Sequence, residues 1–296
     1  MRDFAPSEIL GGHAGTSVLS FPKAGMGLDG RNLGCEMSGR NEYNMKSEEP
    51  LMTFPSDFNQ AIAREAASLV KLAYDQFKNT TWNLGTGYQE LGSLSADKER
   101  FGFVALNLAS QNVFVVFRGT ETPMDWMADL SFPQEPHPWG MVEKGFSELY
   151  QQCTVSVLTA VKRVPGTPKV FVTGHSLGSA LATLATADLA INGIASAMYN
   201  FASPRVGNPG FTSEFNANAQ VTARWRIVNT EDILTTVPLA TPNPGVDLSP
   251  RSPLALLLLA LHKLDYTHVG TPVNFTVNNG SIIGNHSITT YIAAIA

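Results

Sequence analysis

The chain has 296 residues, 44% hydrophobic and 15% charged, with a net charge of −5. That length carries a substantial core in one or two domains, and the acidic balance gives no electrostatic reason to expect nucleic acid as a partner. Two cysteines, Cys35 and Cys153, lie far apart without metal-ligand spacing, and nothing in the sequence supports their pairing.

Residues 1–55 read as an irregular N-terminal extension, because GGHAG, KAGMGLDGRNLG and SGRNEYN are rich in Gly, Ser and Asn without periodicity. The opening residues hold no apolar h-region, so no secretory signal is expected and the compartment stays open between secreted and cytoplasmic. From 56 the texture changes. SDFNQAIAREAASLVKLAYDQF (56–77) has helical spacing behind a Ser or Asp cap. RFGFVALN (100–107) and NVFVVFRG (112–119) read as strands, followed by a helix around 145–162. Strand KVFVTG (169–174) and a helix over 177–191 come next. Strands SAMYNFAS (196–203), ARWRIVNT (223–230) and VNFTV (273–277) and a helical HSITTYIAAIA (286–296) complete the chain. This alternation predicts one α/β domain over 56–296, with a mostly parallel sheet covered on both faces and antiparallel pairing at the 100–119 end. The aliphatic run PLALLLLAL (253–261) is too short to span a bilayer; it reads equally as an acyl-binding surface or a buried helix.

The sharpest local feature is VFVTGHSLGSALATLA (170–185), where a strand turns at once into a helix with Ser176 on the corner. Gly174 and Gly178 flank the serine at −2 and +2, the G-x-S-x-G nucleophile elbow. A serine hydroxyl needs a histidine to remove its proton and a carboxylate to orient that histidine, and on this fold they follow in the order Ser, Asp or Glu, His. Asp232 comes directly after strand ARWRIVNT, where α/β sheets gather their ligands; Glu231 is its near rival and Asp247 a distant third. His286 follows the last strand and is the expected base, ahead of His268, which precedes that strand, and of His262 at the end of the leucine run. His175 points away from the elbow and is expected to pack. Oxyanion donors are expected at the backbone N–H groups of Leu177 and of Thr120, which follows NVFVVFRG. Sequons at Asn79, Asn274 and Asn285 read as chance, since a glycan beside His286 would crowd the site.

As an ordered set, NVFVVFRGTETPMDWMADLSF, VEKGFSELY, VFVTGHSLGSALATLA, YNFASPRVGNPGF, RIVNTEDILTTVP, DYTHVGTPV and HSITTY resemble the class 3 lipases, a family of fungal triacylglycerol lipases, feruloyl esterases and plant phospholipases A1. The resemblance covers about 60–296. It implies an α/β-hydrolase fold, carboxylic ester hydrolysis and neither cofactor nor metal. It puts the nucleophile on Ser176, the acid on Asp232, the base on His286 and the oxyanion residue on Thr120, with Asp129 supporting the oxyanion side chain. It also implies a short helical lid in ETPMDWMADLSFP (121–133), whose Met124, Trp126, Met127 and Leu130 would present an apolar face to lipid. Ser179 and Glu143 depart from the family pattern, the second placing a carboxylate under the lid region. The expected partner is a lipid or small ester, met at a lipid–water interface. Triacylglycerol lipase is the leading expectation, with carboxylesterase or phospholipase A1 as alternatives and a non-catalytic lipid-binding or signalling relative behind them. Chain-length preference and oligomeric state are not legible.

Overall fold

The computed structural model describes residues 54–79, 82–122, 132–238 and 265–296, all within the contact unit Ser47–Ala296. Of the N-terminal extension only Phe54 and Pro55 fall among them, and Phe54 stacks on Phe58 with ring centroids 5.1 Å apart. Asp129, the four lid residues, Cys35, Asp247, His262 and the aliphatic run lie outside the described residues.

In chain order the elements are α1 (Gln60–Lys78), β1 (Tyr88–Ala96), β2 (Glu99–Asn107), β3 (Val113–Phe117), β4 (Gln134–His137), β5 (Gly140–Glu143), α2 (Lys144–Lys162), β6 (Val170–His175), α3 (Leu177–Ile191), β7 (Ser196–Phe201), α4 (Pro209–Ala217), β8 (Val221–Asn229), β9 (Thr271–Phe275), α5 (Ile282–His286) and α6 (Ile288–Ala294). A seven-stranded sheet runs β1-β2-β3-β6-β7-β8-β9. The β1–β2 and β2–β3 pairs are antiparallel, whereas every pair from β3 to β9 is parallel. The C-terminal ends of β3, β6, β8 and β9 therefore open onto the same edge of the sheet.

Why β3 is central follows from its sequence. VFVVF is apolar at every position, and all five residues are buried. Val113, Val115 and Phe117 join the apolar cluster with α2 and α3, while Phe114 and Val116 join the cluster with α1 on the other face. Helix α3 is buried nearly all round, which its small residues (Gly, Ser, Ala and Thr) permit by letting neighbouring backbones come close. No helix among the described residues is long and apolar enough to cross a membrane.

Several local features differ from the sequence-based expectations, among them helix α4, which was not expected, and the last strand, expected over 273–277 and found at Thr271–Phe275. Helix α1 starts at Gln60 rather than 56, because the Asn59 side chain accepts the Ile62 N–H and caps it. Strand β1 was hidden by its Gly and Ser content and half-exposed pattern. The β4–β5 hairpin, with Pro136 and Pro138, carries no alternating apolar signal. The helix expected over 286–296 starts at Ile288 instead, while His286 closes a separate short helix; Ser287 stands between them, its side chain accepting the Thr289 N–H and capping the second. Glu143 does not stand as a free charge either: it is buried at the N-terminus of α2, accepting the Phe146 N–H at 2.6 Å. The Cys153 thiol is buried and approaches the Ser95 carbonyl at 3.5 Å, and burial pushes it up to about 11.

Candidate active site

The corner between β6 and α3 is strained. Ser176 sits at φ 56°, ψ −128°, a region that costs a non-glycine residue of the order of 1–3 kcal/mol and persists only where the surroundings enforce it. Its N–H donates to the Phe201 carbonyl at 3.1 Å, and its own carbonyl accepts the Ser179 N–H at 2.9 Å. The flanking glycines have no room for a side chain. A Cβ on Gly174 would lie 2.1 Å from the Gly178 carbonyl oxygen, and one on Gly178 would lie 2.4 Å from that of Arg118. Ser179, the departure from the family pattern, uses its hydroxyl within the elbow, lying 2.7 Å from the carbonyls of both Gly174 and Phe201.

Three side chains far apart in the chain meet above this corner. Ser176 Oγ lies 2.7 Å from His286 Nε2, and His286 Nδ1 lies 2.8 Å from Asp232 Oδ2. All three are buried, at 5%, 4% and 1% exposure. The carboxylate of Asp232 can only accept, so Nδ1 carries the imidazole proton and Nε2 is left bare toward the Ser176 hydroxyl. Asp232 is itself held: Oδ1 accepts the Leu234 N–H at 3.1 Å, and Oδ2 accepts the Tyr291 hydroxyl at 2.6 Å. Burial first, and Asp232 second, hold the Tyr291 phenol well above its usual range, so it remains a donor.

Glu231 faces away, with its side chain on the exposed Asn278 amide. His268 lies ahead of β9, and burial together with Arg226 and Arg205 brings it down to about 2. Leu177 opens α3 beside the serine and is buried. Thr120 stands at the mouth, its Oγ1 accepting the Thr122 N–H at 3.1 Å. It shares with His286, His175, Tyr74, Ile283 and Thr289 the lining of an open cleft of about 330 Å³. A cavity of about 380 Å³ lies at the opposite, N-terminal ends of β6 and β7, against Val170 and Ile194, remote from these groups.

Sequence reasoning did not single out Asn229, Tyr291 or Tyr74. Asn229 is fully buried, and its side chain ties the acid loop to the base loop: it accepts the N–H groups of Glu231 and Val277 and donates to the carbonyls of Val277 and Asn285. The Asn285 amide is in turn spent on the Glu231 carbonyl and the Asn279 N–H, leaving that sequon inaccessible in the folded chain. The one available signal was a polar Asn directly after the apolar pair Ile227–Val228 at the end of β8.

Three histidines among the described residues have depressed titration. Burial lowers His137 to about 4; burial and the two arginines lower His268 to about 2; burial, then His286, hold His175 well below 6.5. In the unfolded chain each would titrate near 6.5. Below that pH the unfolded chain takes up protons the folded chain refuses, so their stabilising contribution is complete above about pH 6.5 and is lost as pH falls toward the folded values. The melting temperature is therefore expected to decline steadily from about pH 6.5 to 4; a flat profile over this window would show that these imidazoles are not held neutral.

With this geometry in view, comparison with known proteins defines the class. A lipase from Rhizopus microsporus var. chinensis aligns with a TM-score of 0.58 at 22% identity, over 76% of this chain and 77% of that one, and the architecture is an α/β-hydrolase fold. In sequence, residues 114–241 match the family model of class 3 lipases. A chloroplastic/mitochondrial phospholipase A1 of Oryza sativa subsp. indica is 33% identical over 237 residues, 66% of this chain and 51% of the relative. A lipase of Rhizomucor miehei is 35% identical over 149 residues, 46% of this chain and 40% of that protein. The chain belongs to the class 3 lipase family. It spans about half the length of the curated relatives it matches.

Proposed function

We propose that the protein is a serine ester hydrolase, a lipase that cleaves carboxylic esters of glycerol through an acyl-enzyme on Ser176. One observation carries the reading: the continuous hydrogen-bonded line from Ser176 Oγ through His286 to Asp232, with contacts of 2.7 and 2.8 Å. In this scheme His286 Nε2 removes the hydroxyl proton as Oγ attacks the ester carbonyl. Asp232 stabilises the resulting imidazolium without taking its proton. The oxyanion forms against the N–H groups of Leu177, at the positive end of α3, and Thr120. His286 then protonates the departing glycerol alkoxide, and water, activated by the same imidazole, releases the fatty acid.

A greasy substrate is favoured by what surrounds the chemistry. Ile233 follows the acid at 52% exposure, and Ile282 and Ile283 precede the base at 41% and 60%. Large apolar side chains left in water on both sides of a polar centre suit an acyl chain or a lipid surface. Phospholipase A1 is the second reading, favoured by the rice relative's name over 66% of this chain. The deciding assay sets p-nitrophenyl esters of graded chain length beside emulsified triacylglycerol and micellar phospholipid. Rising rates with chain length and turnover of the emulsion are expected. Turnover of phospholipid alone would make it a phospholipase, and turnover of short soluble esters alone a carboxylesterase.

A further inference from the structure

His175 precedes the serine, yet both of its ring nitrogens are engaged elsewhere. Nε2 lies 2.7 Å from the backbone carbonyl of His286. Nδ1 lies 2.8 Å from the Tyr74 hydroxyl, and that hydroxyl oxygen accepts the Gly119 N–H at 2.9 Å. A carbonyl only accepts, so Nε2 carries the proton of a neutral His175 and Nδ1 is bare. Tyr74 must then donate to Nδ1, leaving its lone pairs for Gly119. The chain of bonds thus has one polarity: Gly119 N–H to Tyr74 O–H to His175, and His175 N–H to the His286 carbonyl. Burial holds His175 well below the usual histidine range, in keeping with that protonation state.

The two ends of this chain are informative. Gly119 immediately precedes Thr120, the proposed oxyanion donor, and His286 is the proposed base. They are 167 positions apart in the sequence. A Cβ on Gly119 would lie 2.5 Å from the Tyr74 hydroxyl and 2.9 Å from the Ser176 Cβ, so the oxyanion turn is pressed between the tyrosine and the serine. His175 is only 3% exposed, and its ring lies 4.8 Å from that of His286, centroid to centroid.

We propose that Tyr74 and His175 are positioning residues: they brace the oxyanion turn at Gly119–Thr120 against the backbone of His286, fixing donor and base at one distance across Ser176. The proposal rests on the ester-hydrolase reading above. Misplacement of either end by a fraction of an ångström weakens chemistry more than substrate binding, because donor and base act on the transition state.

The test counts competent sites before measuring rate. Wild type, Tyr74→Phe, His175→Gln, His175→Leu and Ser176→Ala are each titrated to an endpoint with a p-nitrophenyl alkylphosphonate, and hydrolysis of a soluble p-nitrophenyl ester is expressed per titrated site. Tyr74→Phe is expected to lose roughly tenfold to hundredfold in kcat at little-changed KM. His175→Gln, whose amide can still donate to the His286 carbonyl, should retain more than His175→Leu. Fewer titratable sites with wild-type turnover per site in Tyr74→Phe and His175→Leu would mean a purely structural role and overturn the proposal. Full titration with unchanged kcat would overturn it as well. If the phosphonate fails to modify Ser176 in the wild type, the hydrolase reading itself falls and the brace falls with it; modification there, with unaffected brace variants, removes the brace alone.

Discussion

Ser176→Ala is expected to lower kcat for a p-nitrophenyl ester by roughly four to six orders of magnitude. The substitution removes one oxygen, the atom 2.7 Å from His286 Nε2, and alanine has to adopt the same φ of 56° that serine tolerates, so the corner keeps its shape. What survives is attack by water assisted by the oxyanion donors. In energy the loss corresponds to about 5–8 kcal/mol of transition-state stabilisation. Binding of lipid at the exposed isoleucines is expected to persist, because the substitution removes no apolar surface. The measurement is steady-state hydrolysis beside vesicle or emulsion co-sedimentation of the same protein. A variant that retains more than a few per cent of wild-type turnover would move the nucleophile elsewhere.

Asp232→Asn is expected to cost nearly as much, about four orders of magnitude in kcat, for a different reason. The amide is close to the carboxylate in shape, but it can offer N–H where the acid only accepts. If that N–H faces His286 Nδ1, the imidazole proton shifts to Nε2 and Ser176 loses its base. Two neighbours press on the choice: the Leu234 N–H and the Tyr291 hydroxyl both donate into the Asp232 carboxylate. An asparagine has one oxygen for them, so one donor is left facing an NH₂ group. The loss should appear in kcat with KM for a soluble ester little changed, and a recovery of rate at high pH would report hydroxide-assisted attack rather than the native route. Activity within tenfold of wild type would place the orienting carboxylate at another residue.

How much of this could be read from the sequence varied with how local the cause was. The elbow is legible because its constraint is steric and spans five residues: each glycine is required by a carbonyl lying within 2.4 Å of where its Cβ would be. Strands β3 and β6 declare themselves as β-branched and aromatic runs buried in the sheet. Asp232 and His286 were reachable through chain order and strand ends, and the structure sets them on one line with Ser176. Tyr74 was not legible as more than a core residue of an amphipathic helix, since its hydroxyl meets partners 45 and 101 positions away. Asn229 was hidden likewise: its side-chain partners lie 2 to 56 positions away along the chain. Strand β1 was missed because an outer strand with one poorly covered face has no need of an apolar pattern.

The break at Ser287 has a consequence for how the molecule holds its competence. His286 closes a helix of five residues and Tyr291 lies in one of seven, lengths at which helical propensity supplies almost no stability in water. Their shape is borrowed from docking: Ile288, Tyr291 and Ile295 are buried against the strand side that also receives α1, and the Gln60 amide grips the Ile295 carbonyl at 3.1 Å. None of these residues takes part in the strand ladders of the sheet. Release of these last turns is therefore expected to part His286 from Ser176 before it disturbs the strand ladders, so that hydrolysis would fade at a lower temperature than the sheet's circular-dichroism signal.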